Sequence, residues 1–163
     1  MILLLVRHGI AEDIDDSEGS DDAFRQLTPK GRRKARDIGK FLAGRSFQPT
    51  LVVSSFRTRA VQTAEILLEE MASGLPIRMV ESMVFDATWP HLRRTLRELL
   101  TDDADVVLAV GHLPSIGGFF SAAAGFENPY DDFRKGAVAA FEWPDKSLEG
   151  PGEFLFYMTP RFA

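Results

Sequence analysis

Ile2-Leu3-Leu4-Leu5-Val6-Arg7-His8-Gly9 and Asp105-Val106-Val107-Leu108-Ala109-Val110-Gly111-His112 are built alike: an unbroken apolar run with a histidine two residues past its end. A strand with one wet face alternates apolar and polar residues, whereas a strand covered by helices on both faces stays apolar throughout. These two runs are therefore expected to be the central strands of a sheet with helices on either side. Their histidines then lie at the same end of that sheet.

Outward from these runs, further strands are expected at Leu51–Val53, Ile77–Val80, Ala137–Trp143 and Glu153–Met158. Between them, Ala35, Ile38 and Leu42, then Ala60, Ala64, Leu67 and Met71, then Leu92, Leu96, Leu99 and Leu100 fall at helical spacing on one face each. Thr28-Pro29 is an N-cap followed by proline at the first helical position, and Gly44 and Gly74 are candidate helix stops. The order reads βαβαβαβα followed by two strands. It predicts an α/β fold, a three-layer α/β/α sandwich on a mostly parallel sheet, with ligands outside the carboxyl ends of the strands. At 163 residues, one domain over 1–163 is expected, by the prior of roughly 100 to 200 residues per domain.

Composition narrows the function. The formal net charge is −5, which argues against general nucleic-acid binding, so any affinity for phosphate has to come from a local site. There is no cysteine, which removes thiolate metal sites, disulfides and cysteine nucleophiles together. The apolar start MILLLV is too short for a signal segment or a membrane span, and a cytoplasmic location away from membranes is expected. Glu12 to Asp22 is acidic and reads as a solvated loop. The alternative is a calcium loop, which fits less well because Glu18 stands where the sharp turn needs glycine.

His8 and His112 are the candidate chemistry. Either one alone is most simply a hydrogen-bonded strand-end histidine, but two of them beside Arg7 suggest phosphoryl transfer. A neutral imidazole whose other nitrogen is held by a hydrogen bond can attack phosphorus in line, and His8 fits that nucleophile role. The transferring group spreads charge over three oxygens, and arginine's planar fork supplies two donors at once. Arg7 is the nearest, and Arg57 and Arg59 in Ser54-Ser55-Phe56-Arg57-Thr58-Arg59-Ala60-Val61-Gln62-Thr63 stand where a helix begins. The ordinary alternative for these two is a surface ion pair with Glu65 or another acid. A zinc site would need a third ligand and would suffer from the arginines. His91 after Trp89-Pro90 is read as solvated, and no motif for a metal or organic cofactor is present.

Leu5-Val6-Arg7-His8-Gly9 resembles the signature of the histidine phosphatase, or phosphoglycerate mutase-like, superfamily, and the likeness runs from residue 2 to about 125. Ser55-Phe56-Arg57-Thr58-Arg59-Ala60 resembles the family's second-arginine segment, which implies Arg59 rather than Arg57 as phosphate ligand. Val110-Gly111-His112-Leu113-Pro114 and Arg25-Gln26-Leu27-Thr28-Pro29-Lys30-Gly31 are similar to bacterial phosphohistidine phosphatases of the SixA type. The resemblance implies a catalytic set of His8, Arg7, Arg59 and His112, with Arg25, Gly9 and Ser55 as substrate contacts. It implies as partners a protein bearing phosphohistidine, such as a phosphotransfer domain, and a phosphate or sulfate ion in the site. Ester-cleaving branches carry a glutamate general acid after the third strand, where Glu81 and Asp86 are positional candidates only. Lacking an acid penalises an alkoxide leaving group more than the nitrogen–phosphorus bond of phosphohistidine. The short segment from Ser82 to Pro90 offers little chain for a lid, so an open mouth is expected. The alternatives are a phosphomonoesterase for a small metabolite and a non-catalytic phosphate-binding module.

Overall fold

The computed structural model describes residues 1–13, 21–84, 88–128 and 132–161. Asp86 and most of the acidic segment after Asp13 lie outside the described residues. The elements are β1 (Ile2–Arg7), α1 (Pro29–Ala43), β2 (Leu51–Ser54), α2 (Thr58–Glu70), β3 (Ile77–Met79), α3 (Trp89–Leu99), β4 (Val106–Gly111), α4 (Ser115–Ala124), β5 (Val138–Glu142) and β6 (Glu153–Met158), with short 3-10 turns at Asp22–Phe24 and Glu81–Met83. This is the alternating order expected, closed by two strands.

The sheet runs β3-β2-β4-β1-β5-β6. The first four strands are parallel, and β5 and β6 join antiparallel on the side of β1. The two apolar runs are therefore the central pair, and their register sets Arg7 opposite Gly111. Alternate residues of β1 go to opposite cores. Leu3 and Leu5 pack with Leu92 and Leu96 of α3 and Ile116 and Phe119 of α4. Leu4 and Val6 pack with Ile38 and Leu42 of α1 and Ala64 and Leu67 of α2. Three layers result because a strand that is apolar on both faces has to be covered on both.

Thr28 caps α1, its hydroxyl accepting from Gly31 N–H, with Pro29 at the first position. Gly44 closes the same helix. Gly74 does not close α2, which ends at Glu70 with Met71 as its cap. Ala72 adopts a left-handed φ of 52° just beyond, so the chain turns before reaching the glycine. Among the described residues, no helix is long and apolar enough to cross a membrane.

Candidate active site

The site grows from the carboxyl ends of β1, β2 and β4. His8 N–H donates to Gly111 carbonyl at 3.0 Å, which extends the β1–β4 ladder past its last pair and sets His8 beside His112. The ring centroids are 4.6 Å apart, inclined at 47°. Both residues are buried, at 7% and 2% exposure.

The nitrogen roles of His8 follow from its partner. Nδ1 lies 2.7 Å from Gly9 carbonyl. A carbonyl can only accept, so Nδ1 carries the proton and Nε2 keeps its lone pair, as a nucleophile requires. Burial holds the His8 pKa down to about 3 from the usual 6.5, and the charges of Arg59, Arg7 and Lys135 add to this against the Gly9 hydrogen bond. His112 is lowered to about 2, by burial first and then by His8, Arg59, Arg57 and Arg7. Both rings are neutral at neutral pH. His112 Nε2 lies 3.1 Å from Ser55 Oγ, which also accepts Arg57 N–H at 3.2 Å. Ser55 therefore orients His112.

The guanidinium groups surround this pair. Arg7 donates to Phe133 carbonyl at 2.6 Å, which anchors it to the connection before β5. Arg59, in the first turn of α2, is 3% exposed, and its pKa falls to about 10 through burial and the neighbouring Arg25 and Arg57, so it stays cationic. The Nε atoms of Arg7, Arg57 and Arg59 are buried and lack a partner among the described residues. Buried donors are nearly always satisfied, and three spare ones beside two imidazoles are what an anion site keeps for its ligand.

Sequence reasoning missed three contributors. Asp22 bonds Arg59 Nη2 through Oδ2 at 3.0 Å, Arg25 Nε through Oδ1 at 2.7 Å, and Arg57, while its backbone carbonyl takes Arg59 Nη1 at 2.7 Å. Arg25 also donates to Glu12 carbonyl at 2.8 Å. The acid that pairs Arg57 and Arg59 is thus Asp22, at the end of the acidic stretch. Thr63 Oγ1 accepts Gly9 N–H at 3.0 Å and donates to Arg59 carbonyl at 2.7 Å, tying the segment after His8 to α2. Phe133 supplies only a carbonyl, for which a sequence has no signal. Glu81 stands exposed in the turn after β3 and is in no hydrogen bond with the set.

A family model for the histidine phosphatase superfamily, branch 1, matches residues 3–84. The chain belongs to that superfamily. It is 38% identical over 69 residues to the serine/threonine-protein phosphatase Pgam5, mitochondrial, of Drosophila ananassae, and 40% identical over 70 residues to the 2,3-bisphosphoglycerate-dependent phosphoglycerate mutase of Thermobifida fusca (strain YX). Each alignment covers 42% of this chain but only 22% and 28% of the relative, so the chain spans about a quarter of the curated relatives it matches. In fold, this histidine phosphatase superfamily member is similar to the protein histidine phosphatase SixA complexed with tungstate, with a TM-score of 0.83 and 24% identity, over 99% of this chain and 98% of that one.

Proposed function

We propose that this chain is a protein phosphohistidine phosphatase of the SixA type. One observation carries the reading: a neutral His8 with Nε2 unprotonated, beside His112, among arginines that retain unpartnered donors. In the first step the His8 Nε2 lone pair forms a bond to phosphorus while the bond to the substrate's imidazole nitrogen breaks, and that nitrogen takes a proton from solvent. In the second step water attacks the phosphoryl group on His8, phosphate leaves, and neutral His8 returns. Arg7 and Arg59 hold the equatorial oxygens through both steps, and His112 donates a hydrogen bond to them.

The substrate class is inferred from the acid at the site. Asp22 already accepts from three guanidinium groups, an arrangement poorly suited to giving up a proton. Phosphohistidine needs less protonation of its leaving group than an ester does. A whole-length likeness in fold to SixA supports the same reading.

His8→Ala is expected to lower turnover of a histidine-phosphorylated phosphotransfer domain by at least about 10⁴-fold, and trapping under acid-free quench should label His8 in the native protein. Retained turnover in the variant would refute the mechanism, and affinity without a label would mark a binding module. A second reading, a phosphomonoesterase for a small metabolite, draws on Glu81. Its turn packs at the end of β4, where a side chain at Gly111 would come within 3.1 Å of Met83 carbonyl. Equal or better hydrolysis of sugar phosphates, lost in Glu81→Gln, would favour that reading.

A further inference from the structure

Outside the catalytic set, a groove of about 440 Å³ runs along α1, lined by five cationic side chains, Lys30, Arg33, Lys34, Arg36 and Lys40, with Asp37 as its one acid. Four of the five are exposed and Lys34 is partly so. Among the described residues none of the five forms an ion pair. Like charges three and four residues apart on a helix repel one another and destabilise it. Such a concentration in a chain of net charge −5 is therefore a cost to the fold that an anionic partner would offset.

The groove lies near the segment that carries His8, through Pro160 and Gly136. Pro160 closes one side of it. A side chain at Gly136 would lie 3.2 Å from Pro160 Cγ and 3.8 Å from Gly9 Cα. Gly136 N–H in turn lies 3.0 Å from the carbonyls of both Arg7 and His8. At its other end, the first turn of α1 presses against the loop after His8, with Gly31 packed on Ile10 carbonyl. The groove's edge at Pro160 is thus separated from the His8 backbone by Gly136.

We propose that this face of α1 docks an acidic surface patch flanking the phosphorylated residue of a protein substrate. The proposal rests on the phosphohistidine reading for the identity of the phosphoryl group, and adds how the protein carrying it is recognised. A small metabolite would not reach along the helix. Nucleic acid and anionic membrane fit less well, because both present extended negative charge to a chain that is acidic overall, and the groove holds no apolar anchor beyond Pro160. A compact acidic patch meets the strip and avoids the rest of the surface.

The test uses the full chain and its K30E/R33E/R36E variant, none of whose changes touches the catalytic set. Turnover of a histidine-phosphorylated phosphotransfer domain is compared with that of phosphoimidazole, a small substrate that cannot span the groove. The expected result is a KM for the phosphoprotein raised roughly tenfold, with kcat and all phosphoimidazole kinetics unchanged. Added salt should raise the native KM and leave that of the variant nearly flat. In parallel, a labelled polyglutamate peptide is titrated against His8→Ala protein with and without the charge reversal, which reads docking without catalysis. Peptide binding that the reversal abolishes supports docking even if phosphohistidine proves not to be the substrate. Equal effects on both substrates, no effect on either, or binding of duplex DNA or phosphatidylserine vesicles through this face while the peptide does not bind would overturn the proposal.

Discussion

At the level of single residues, the site depends on keeping two imidazoles neutral while crowding them with cations. Their pKa values of about 3 and about 2 lie below the usual 6.5, so the unfolded chain binds more protons than the folded one between those limits. Stability contributed by the neutral rings is therefore present above pH 6.5 and lost as pH falls through this window, by about 2 kcal/mol per histidine near pH 5. Denaturant titrations at neutral pH and near pH 5 should show this loss, and His112→Asn should lose less. Asp22 sets a second condition. Its carboxylate bonds Arg59, the proposed phosphate ligand, along with Arg25 and Arg57, so Asp22→Asn is expected to tighten inhibition by inorganic phosphate several-fold while lowering kcat, since Arg59 loses a charged anchor. Weaker phosphate inhibition would show that Asp22 only positions. His8, His112 and the arginines could be read from sequence because each adjoins a strand end or helix start with its own signature. Asp22 could not, since an acid at the end of an acidic stretch looks like any solvated residue until it is brought against the arginines at the start of α2.

The elements explain why these side chains arrive at the same place. Adjacent parallel strands end together, so β1 and β4 bring His8 and His112 side by side without further instruction, and β2 delivers Ser55 from the neighbouring position. Helix α1 then fixes the loop between. A side chain at Gly31 would come within 2.1 Å of Ile10 carbonyl, which is backbone and cannot yield without moving the segment that carries Gly9. Gly31→Ala is expected to cost about 3 kcal/mol and to lower kcat together with stability, as thermal unfolding and turnover measured on the same sample would report. An unchanged melting temperature would show that the helix is free to shift. Helix existence and facing were legible from the spacing of Ala35, Ile38 and Leu42. The end of α2 was not, because Ala72 accepts the left-handed conformation that Gly74 was expected to supply.

Across the whole molecule, the antiparallel end of the sheet both stabilises and positions. Phe119, Phe120, Phe133, Phe141 and Trp143 are buried, with Phe120 stacked edge-on against Phe133 and Phe141. Phe133 also packs edge-on against Tyr157, and its carbonyl holds Arg7. Phe133→Ala should cost about 3 to 5 kcal/mol by calorimetry and, on the proposed role of Arg7, weaken phosphate binding as well, because the cavity loosens the segment that anchors it. The strand pair β5–β6 was foreseen, but its tie to the site was not, for it runs through a backbone carbonyl. The sheet order has a temporal corollary. Strand β1 lies between β4 and β5, both made much later than itself, and His112 follows β4. A chain still being synthesised holds Arg7 and His8 at the end of β1 for most of its elongation without a partner strand on either side. The pocket between the two histidines can therefore assemble only late in synthesis, once residues near 142 are available to close the sheet on both sides of β1.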